Sequence, residues 1–241
     1  MMMGNTYLFI IPFLMVVSLC LGQDDSLQER PNNRTFALYA IAPSFATGAT
    51  SSLTGTLIQN GYPRLPRGHF NWGLGGQYRW NRFILGVDLL ASYQTRQRED
   101  TGSRIVRLAI TTNLYTGFYV YRKPGFTLYP YVALSGTDAS LYLSRPTAPA
   151  PLAGLLATGN TVQLGHFSAG VILGLGIDLQ DVTKANSVFE SLKVGYRFSP
   201  EGAYAWESAF TAISNAPADR FNYWFFQLNL GTAWHWRRNA R

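Results

Sequence analysis

The chain has 241 residues, with 20 Lys and Arg against 13 Asp and Glu, for a net charge of +7. Charged residues make up only 14% and aromatic residues 15%, and the mean hydropathy is −0.01. This excludes intrinsic disorder, which needs low hydrophobicity and high charge, and a helical membrane bundle, which needs repeated apolar stretches of roughly 20 residues.

The first element is an apolar run from Tyr7 to Leu21, broken by Pro12 and Ser18 and followed by Gly22-Gln23-Asp24-Asp25. It reads as a secretory signal peptide, residues 1–22, cleaved after Gly22. A retained anchor is the rival reading, but the run is short for a full span and no basic cluster follows it. Cys20 is the only cysteine, so the exported chain would have no disulfide framework and no thiol chemistry. Residues 23–34 read as a polar periplasmic leader.

Beyond the leader, the dominant pattern has period two. Phe70, Trp72, Leu74, Gly76, Tyr78 and Trp80 alternate with His69, Asn71, Gly73, Gly75, Gln77 and Arg79. Phe83 to Gln94 and Val106 to Tyr121 repeat the rule, the second with Tyr115, Tyr119 and Tyr121 on its polar face. So do His166 to Asp178, Ser191 to Phe198, and Tyr223 to Trp236. A strand sorts such residues to two faces, whereas a helix scatters them. Two weaker runs, Thr35 to Ala46 and Phe126 to Ser144, complete a set of eight. In the first the alternation is blurred.

The connections alternate in length. A long loop (Thr47 to Gly68) precedes a tight turn at Asn81. A polar loop (Thr95 to Ser103) precedes a turn at Lys123-Pro124-Gly125. A Pro/Ala-rich loop (Arg145 to Thr161) precedes a short turn (Asp181 to Asn186) and a long loop (Ser199 to Arg220). In an up-and-down meander this places every long loop at one end and every short turn at the other.

The expected fold is therefore all-β: an eight-stranded antiparallel up-and-down transmembrane β-barrel over residues 35–236, with a basic tail at 237–241. A soluble barrel also alternates, with its apolar side inward. The inside-out arrangement is favoured by the aromatics near strand ends. Trp72, Trp80, Tyr93, Tyr196, Trp224, Trp234 and Trp236 are the expected interfacial girdle. The opposite face is rich in Gly, Ser, Asn, Gln and Tyr, which suits a narrow lumen filled by side chains. There Arg79, Asp88, Arg107, Asp178, Lys193 and Arg197 are expected to form a mutually compensating network. Asp88 and Asp178 would accept from some of Arg79, Arg107 and Lys193.

With its export signal, eight alternating runs, loop asymmetry and aromatic final strand (FNYWFFQLNLGTAWHW), the chain resembles the small OmpA/OmpX-like outer-membrane barrels of Gram-negative bacteria. The resemblance is architectural and spans Thr35 to Trp236. It departs where Arg237 to Arg241 follow the last aromatic residue, since the family pattern often ends on an aromatic. The resemblance implies an outer-membrane location.

Few residues suggest chemistry. His166 and Ser168 share a face two residues apart, but that face is the lumen, away from lipid acyl chains. His69 and His235 read as rim or lumen residues. Nothing has metal-ligand spacing, the glycine-rich segments lie inside strands, and no cofactor is expected. Export argues against nucleic acid despite the positive charge. The loop residues Arg64, Arg67, Arg96, Arg98, Arg145 and Arg220 are placed to meet lipopolysaccharide phosphates. The expected role is structural or interactive, carried by the long loops, with a plugged lumen and no catalysis. The expected partners are outer-membrane lipid, lipopolysaccharide or another envelope protein. The alternatives are a narrow solute channel, a lipid-modifying enzyme and an accessory subunit of a larger complex.

Overall fold

The computed structural model describes residues 34–48, 52–123, 125–145, 161–180, 185–199, 204–208 and 213–236. The expected signal peptide, leader and basic tail lie outside the described residues, apart from Arg34. The strands are β1 (Arg34–Gly48), β2 (Gly68–Trp80), β3 (Phe83–Gln97), β4 (Arg104–Phe118), β5 (Tyr121–Lys123), β6 (Gly125–Ser144), β7 (Thr161–Gln180), β8 (Asn186–Phe198), β9 (Tyr204–Ala205), β10 (Glu207–Ser208), β11 (Ala218–Asp219) and β12 (Tyr223–Trp236). One helix, α1 (Ser52–Gln59), lies in the first long loop.

Eight long strands form the wall, in the order β1-β2-β3-β4-β6-β7-β8-β12, each antiparallel to the next. β12 pairs back onto β1 from Arg34↔Trp236 to Gly48↔Tyr223, which closes the cylinder. Closure satisfies backbone groups that hydrocarbon would leave unpaired at several kcal/mol each. The tight turn at Asn81 has φ 54°. The left-handed region it occupies matches the twist of a two-residue hairpin joining Trp80 to Phe83.

The wall is apolar outside and polar inside over most of its height. Leu74, Leu134 and Val188 point outward and are 67%, 66% and 69% exposed. Inward neighbours such as Gln77, Asp88, Asp178 and Lys193 are fully buried. A water-soluble barrel would be built the other way round. This one is a membrane-spanning barrel of the outer-membrane type. Two outward positions carry carboxylates: Asp138 beside Ile110 and Phe167, and Glu190 beside Leu179 and Leu230.

The blurred alternation of the first strand has a physical cause. Inward positions run Thr35, Ala37, Tyr39, Ile41, then resume at Ser44 and Ala46. The register shifts between Ile41 and Ser44 against both neighbours. Ala42 and Pro43 there oppose one residue on each side, a β-bulge around a proline that has no N–H to give the ladder.

One expected alternation needs correction. Tyr121 does not continue the inward row of Tyr115 and Tyr119; it is 40% exposed. β4 stops at Phe118, and the Tyr119 N–H donates instead to the Arg82 carbonyl. The partner strand carries Pro130 next to Tyr131, the last residue paired with β4. The missing N–H of Pro130 ends the ladder, and β5 restarts in the opposite phase.

A second correction concerns the lumen. Its polar character gives way to a largely apolar cluster toward the long loops. Near the long loops many inward positions are apolar, Ile105, Ala109, Ala139, Leu141, Leu143 and Leu164, with the buried Arg107 and His166 among them. These apolar side chains pack with Leu53, Leu57 and Leu65 of the first long loop and Trp206 and Phe221 of the last. This end folds like a small soluble domain, with its core inside.

Candidate functional site

The lumen holds two stacked layers. The lower, nearer the short turns, is polar and centred on two buried ion pairs. Lys193 on β8 meets Asp88 on β3 at 2.9 Å. Arg79 on β2 meets Asp178 on β7. Side chains join them into one network. The Tyr39 hydroxyl donates to Asp88 at 2.6 Å and lies 2.8 Å from the Tyr115 hydroxyl. Tyr115 donates to Gln77 at 2.9 Å, and Gln77 donates to Asp178 at 3.3 Å. Tyr129 donates to Asp178 at 3.2 Å and Gln227 to Asp88 at 3.2 Å. The Arg79 guanidinium carbon lies 5.9 and 5.3 Å from the ring centres of Tyr119 and Phe189. Lys193 Nζ lies 3.7 Å from the Tyr115 ring centre. Such cation–π contacts replace part of the water these charges lose.

The tyrosines fit because glycines face them across the ladder. A Cβ on Gly75 would sit 2.3 Å from the Tyr39 ring, and one on Gly86 2.2 Å from Tyr115. The same holds for Gly174 under Tyr131 and Gly176 under Tyr129. Each glycine in GLGG and GVILGLG that does this seats a ring, so these segments are packing notches inside strands.

Arg197 forms a collar between the layers. Its Nε donates to Ser135 at 3.0 Å, one Nη to the Ser168 carbonyl at 2.7 Å, and the other to the Phe221 carbonyl. It therefore holds the last long loop to β7 without a carboxylate. Arg107 makes no carboxylate pair among the described residues. Its guanidinium lies over the Phe221 ring at 5.1 Å. Of the expected charge compensation, the structure pairs Arg79 and Lys193.

The upper layer is the apolar cluster, and Asp219 ties its two loops together. One carboxylate oxygen accepts from the Ser52 N–H at 3.1 Å and the Ser52 hydroxyl at 2.8 Å, at the start of α1. The other accepts from the Trp206 indole at 2.9 Å. Asp219 thus caps the helix of one loop and holds the buried tryptophan of the other. Sequence reasoning missed Asp219, Trp206 and α1. The available signal was Leu53 and Leu57, four residues apart in a segment read as plain loop.

His166 and Ser168 are not a nucleophilic pair. The His166 ring packs on Trp206 and Phe221, at 4.8 and 4.6 Å between centres, with Nε2 3.4 Å from the Asp219 carbonyl. The Ser168 hydroxyl bonds to Ser199 at 3.2 Å and accepts from Arg197. His69 packs edge-on to Tyr223. His235, at the short-turn end, bonds Thr35 on β1 at 2.9 Å and Ser187 on β8 at 3.0 Å. Among the described residues no three His, Cys, Asp or Glu side chains cluster as metal ligands.

Trp72, Trp80, Tyr93, Trp224 and Trp236 are exposed on the outer face. Tyr196 is half-buried against Trp224 at 5.0 Å, and Trp234 is half-buried against Phe36 at 5.9 Å. Of the loop arginines, Arg64, Arg67 and Arg96 line one open cleft of about 600 Å³ with Pro63, Leu65, Pro66 and Gln97. Arg98 pairs with Asp100 at 2.7 Å. Arg145 donates to the Asn60 carbonyl and lies 5.0 Å over the Tyr62 ring. Arg220 is exposed beside β11.

No protein-family model and no curated protein matches the chain. Among solved structures it is similar to the attachment invasion locus protein Ail of Yersinia pestis, crystallised with the heparin analogue sucrose octasulfate. The identity is 9%, over 84% of this chain and 99% of that one, with a TM-score of 0.44. It is also similar to a major outer membrane protein of Thermus thermophilus, at 12% identity over 85% and 99% of the two chains, with a TM-score of 0.43. The outer membrane protein OprG of Pseudomonas aeruginosa matches at 11% identity over 86% and 96%, with a TM-score of 0.36.

Proposed function

We propose that this outer-membrane β-barrel is a sealed, non-catalytic wall protein whose role is structural or interactive, exercised by its capped long-loop end toward the cell exterior. The observation that carries the reading is the double closure of the lumen. A hydrated ion entering from outside meets the Leu53–Leu57–Trp206–Phe221 core. From the periplasm it meets the Arg79–Asp178 and Lys193–Asp88 pairs. Opening the lower layer means separating buried charges, at about 3–5 kcal/mol for each partner removed. The buried Ser168 and His166 have structural partners, which supports a non-catalytic role. The rings Trp72, Trp80, Tyr93, Tyr196, Trp224, Trp234 and Trp236 anchor the wall at the two interfaces. The loop arginines meet phosphate groups of lipopolysaccharide, or an acidic face of a neighbouring envelope protein.

The test is planar-bilayer recording with the purified, refolded barrel. The expected result is no unitary steps above leak at salt on the order of 0.1–1 M. Reproducible unitary steps would favour a conduit and overturn the sealed reading.

A further inference from the structure

The charges buried inside the barrel do not balance. Among the described residues, four buried cations stand against three buried carboxylates. Lys193 takes Asp88 and Arg79 takes Asp178, which leaves Arg107 and Arg197 with Asp219. No ion pair among the described residues joins either arginine to it, because its oxygens accept from Ser52 and the Trp206 indole. Arg197 is supplied by neutral acceptors instead, Ser135 and the Ser168 and Phe221 carbonyls. Arg107 on β4 has no such supply. It is 7% exposed, its guanidinium lies over the Phe221 ring, and its buried Nε has no hydrogen-bond partner among the described residues. A buried guanidinium carries a desolvation cost that one ring face offsets only in part.

Arg107 lines a cavity of about 20 Å³ in the upper lumen. Pro66 and Arg67 of the first long loop and Phe221 and Asn222 of the last border it, with His69 and Tyr223 at the tops of β2 and β12. No carboxylate lines it. Three of its acceptors are already used. The Phe221 carbonyl accepts from Arg197, the Arg67 carbonyl from the Gly48 N–H, and Asn222 Oδ1 from the Ser199 N–H. The Asn222 amide is left with only its NH₂ to offer, as a donor. The lining is therefore rich in donors and poor in acceptors, which suits a negative occupant. The volume exceeds the roughly 10–15 Å³ that one water needs and has no room for the four oxygens of a phosphate. Pro66 and Arg67 also line the open cleft above, which gives a small ion a route in from solvent.

We propose that this cavity is a binding site for one monatomic anion of the chloride class, held by Arg107. The ion supplies the negative charge the upper layer lacks and joins the first long loop to the last. A water in its place would fill the volume and leave the charge uncompensated. The site needs no path through the polar layer below, so conductance does not bear on it. The test is urea unfolding of the full barrel in phosphatidylcholine vesicles, in sodium chloride, sodium bromide or sodium gluconate at equal ionic strength. Gluconate is too large for the cavity. An ion that binds only the folded chain shifts the unfolding equilibrium by 1 + [L]/Kd, about tenfold at roughly 0.1 M chloride for a Kd on the order of 10 mM. The shift is expected to saturate with chloride, to be matched by bromide and to vanish in R107M. R34Q removes a charge at the other end and is expected to keep it. Wild-type crystals grown in bromide are expected to show an anomalous bromine peak beside Arg107, a result that depends on no variant folding. Equal unfolding in chloride and gluconate, an undiminished chloride shift in R107M, or no bromine peak at Arg107 would overturn the proposal.

Discussion

Lys193 is the sharpest test of how the lumen is held. Its side chain is 1% exposed, and its Nζ donates to both oxygens of Asp88, at 2.9 and 3.2 Å. In K193M the carboxylate of Asp88 keeps its hydrogen bonds from Tyr39 and Gln227 but loses its counter-charge. Breaking a buried pair from one side costs about 3–5 kcal/mol. The two remaining donors place this case at the lower end, about 3 kcal/mol, or roughly a hundredfold in the unfolding equilibrium. D88N strands the ammonium instead and is expected to cost a similar amount. The double variant K193M/D88N carries no unpaired charge, so it is expected to cost far less than the sum, with a coupling of about 2 kcal/mol or more. Reversible urea unfolding in lipid vesicles, followed through the six tryptophans, measures all three. A K193M loss below about 1 kcal/mol, or additive singles, would refute a network in which charge compensation holds the lower layer.

Three further outcomes follow from the packing. G86A places a methyl group 2.2 Å from the Tyr115 ring and is expected to cost about 1–3 kcal/mol by overpacking, relieved in G86A/Y115L; unfolding midpoints measure both. L134R is expected to cost about 2–4 kcal/mol although Leu134 is 66% exposed, because that exposure is to hydrocarbon; unfolding midpoints measure it. D219A removes the acceptor shared by Ser52 and Trp206. Limited proteolysis is expected to cut the first and last long loops faster, while the wall keeps its β-sheet circular dichroism signal.

The wall was legible because period-two patterning is local: each strand carries its own record of which face meets lipid. The blur in Thr35 to Ala46 was itself information, since Pro43 inside an alternating run marks a bulge. The partners in the lumen were partly legible. That buried Asp88 and Asp178 need cations follows from charge alone, but Lys193 reaching Asp88 across the barrel, rather than Arg107, is a matter of where β3 and β8 face each other. The cap was the least legible part. Leu53, Trp206 and Phe221 lie in two segments far apart in the chain, and no local period links them. The inward row does change character, from Ser135 and Thr137 to Leu141 and Leu143. Read as a change of solvent along one strand, that switch marks where the barrel rises out of the bilayer.

His235 has a consequence for assembly. Its ring bridges Ser187, 48 residues away, and Thr35, 200 residues away. The first bond becomes available once the final hairpin forms. The second exists only after the seam between the first and last strands has met. Every other wall pairing joins neighbours in sequence, so seam formation carries the chain's one large loop-closure cost. The imidazole is then a latch thrown at the final step: it does not hasten earlier hairpins, but it slows the seam's reopening.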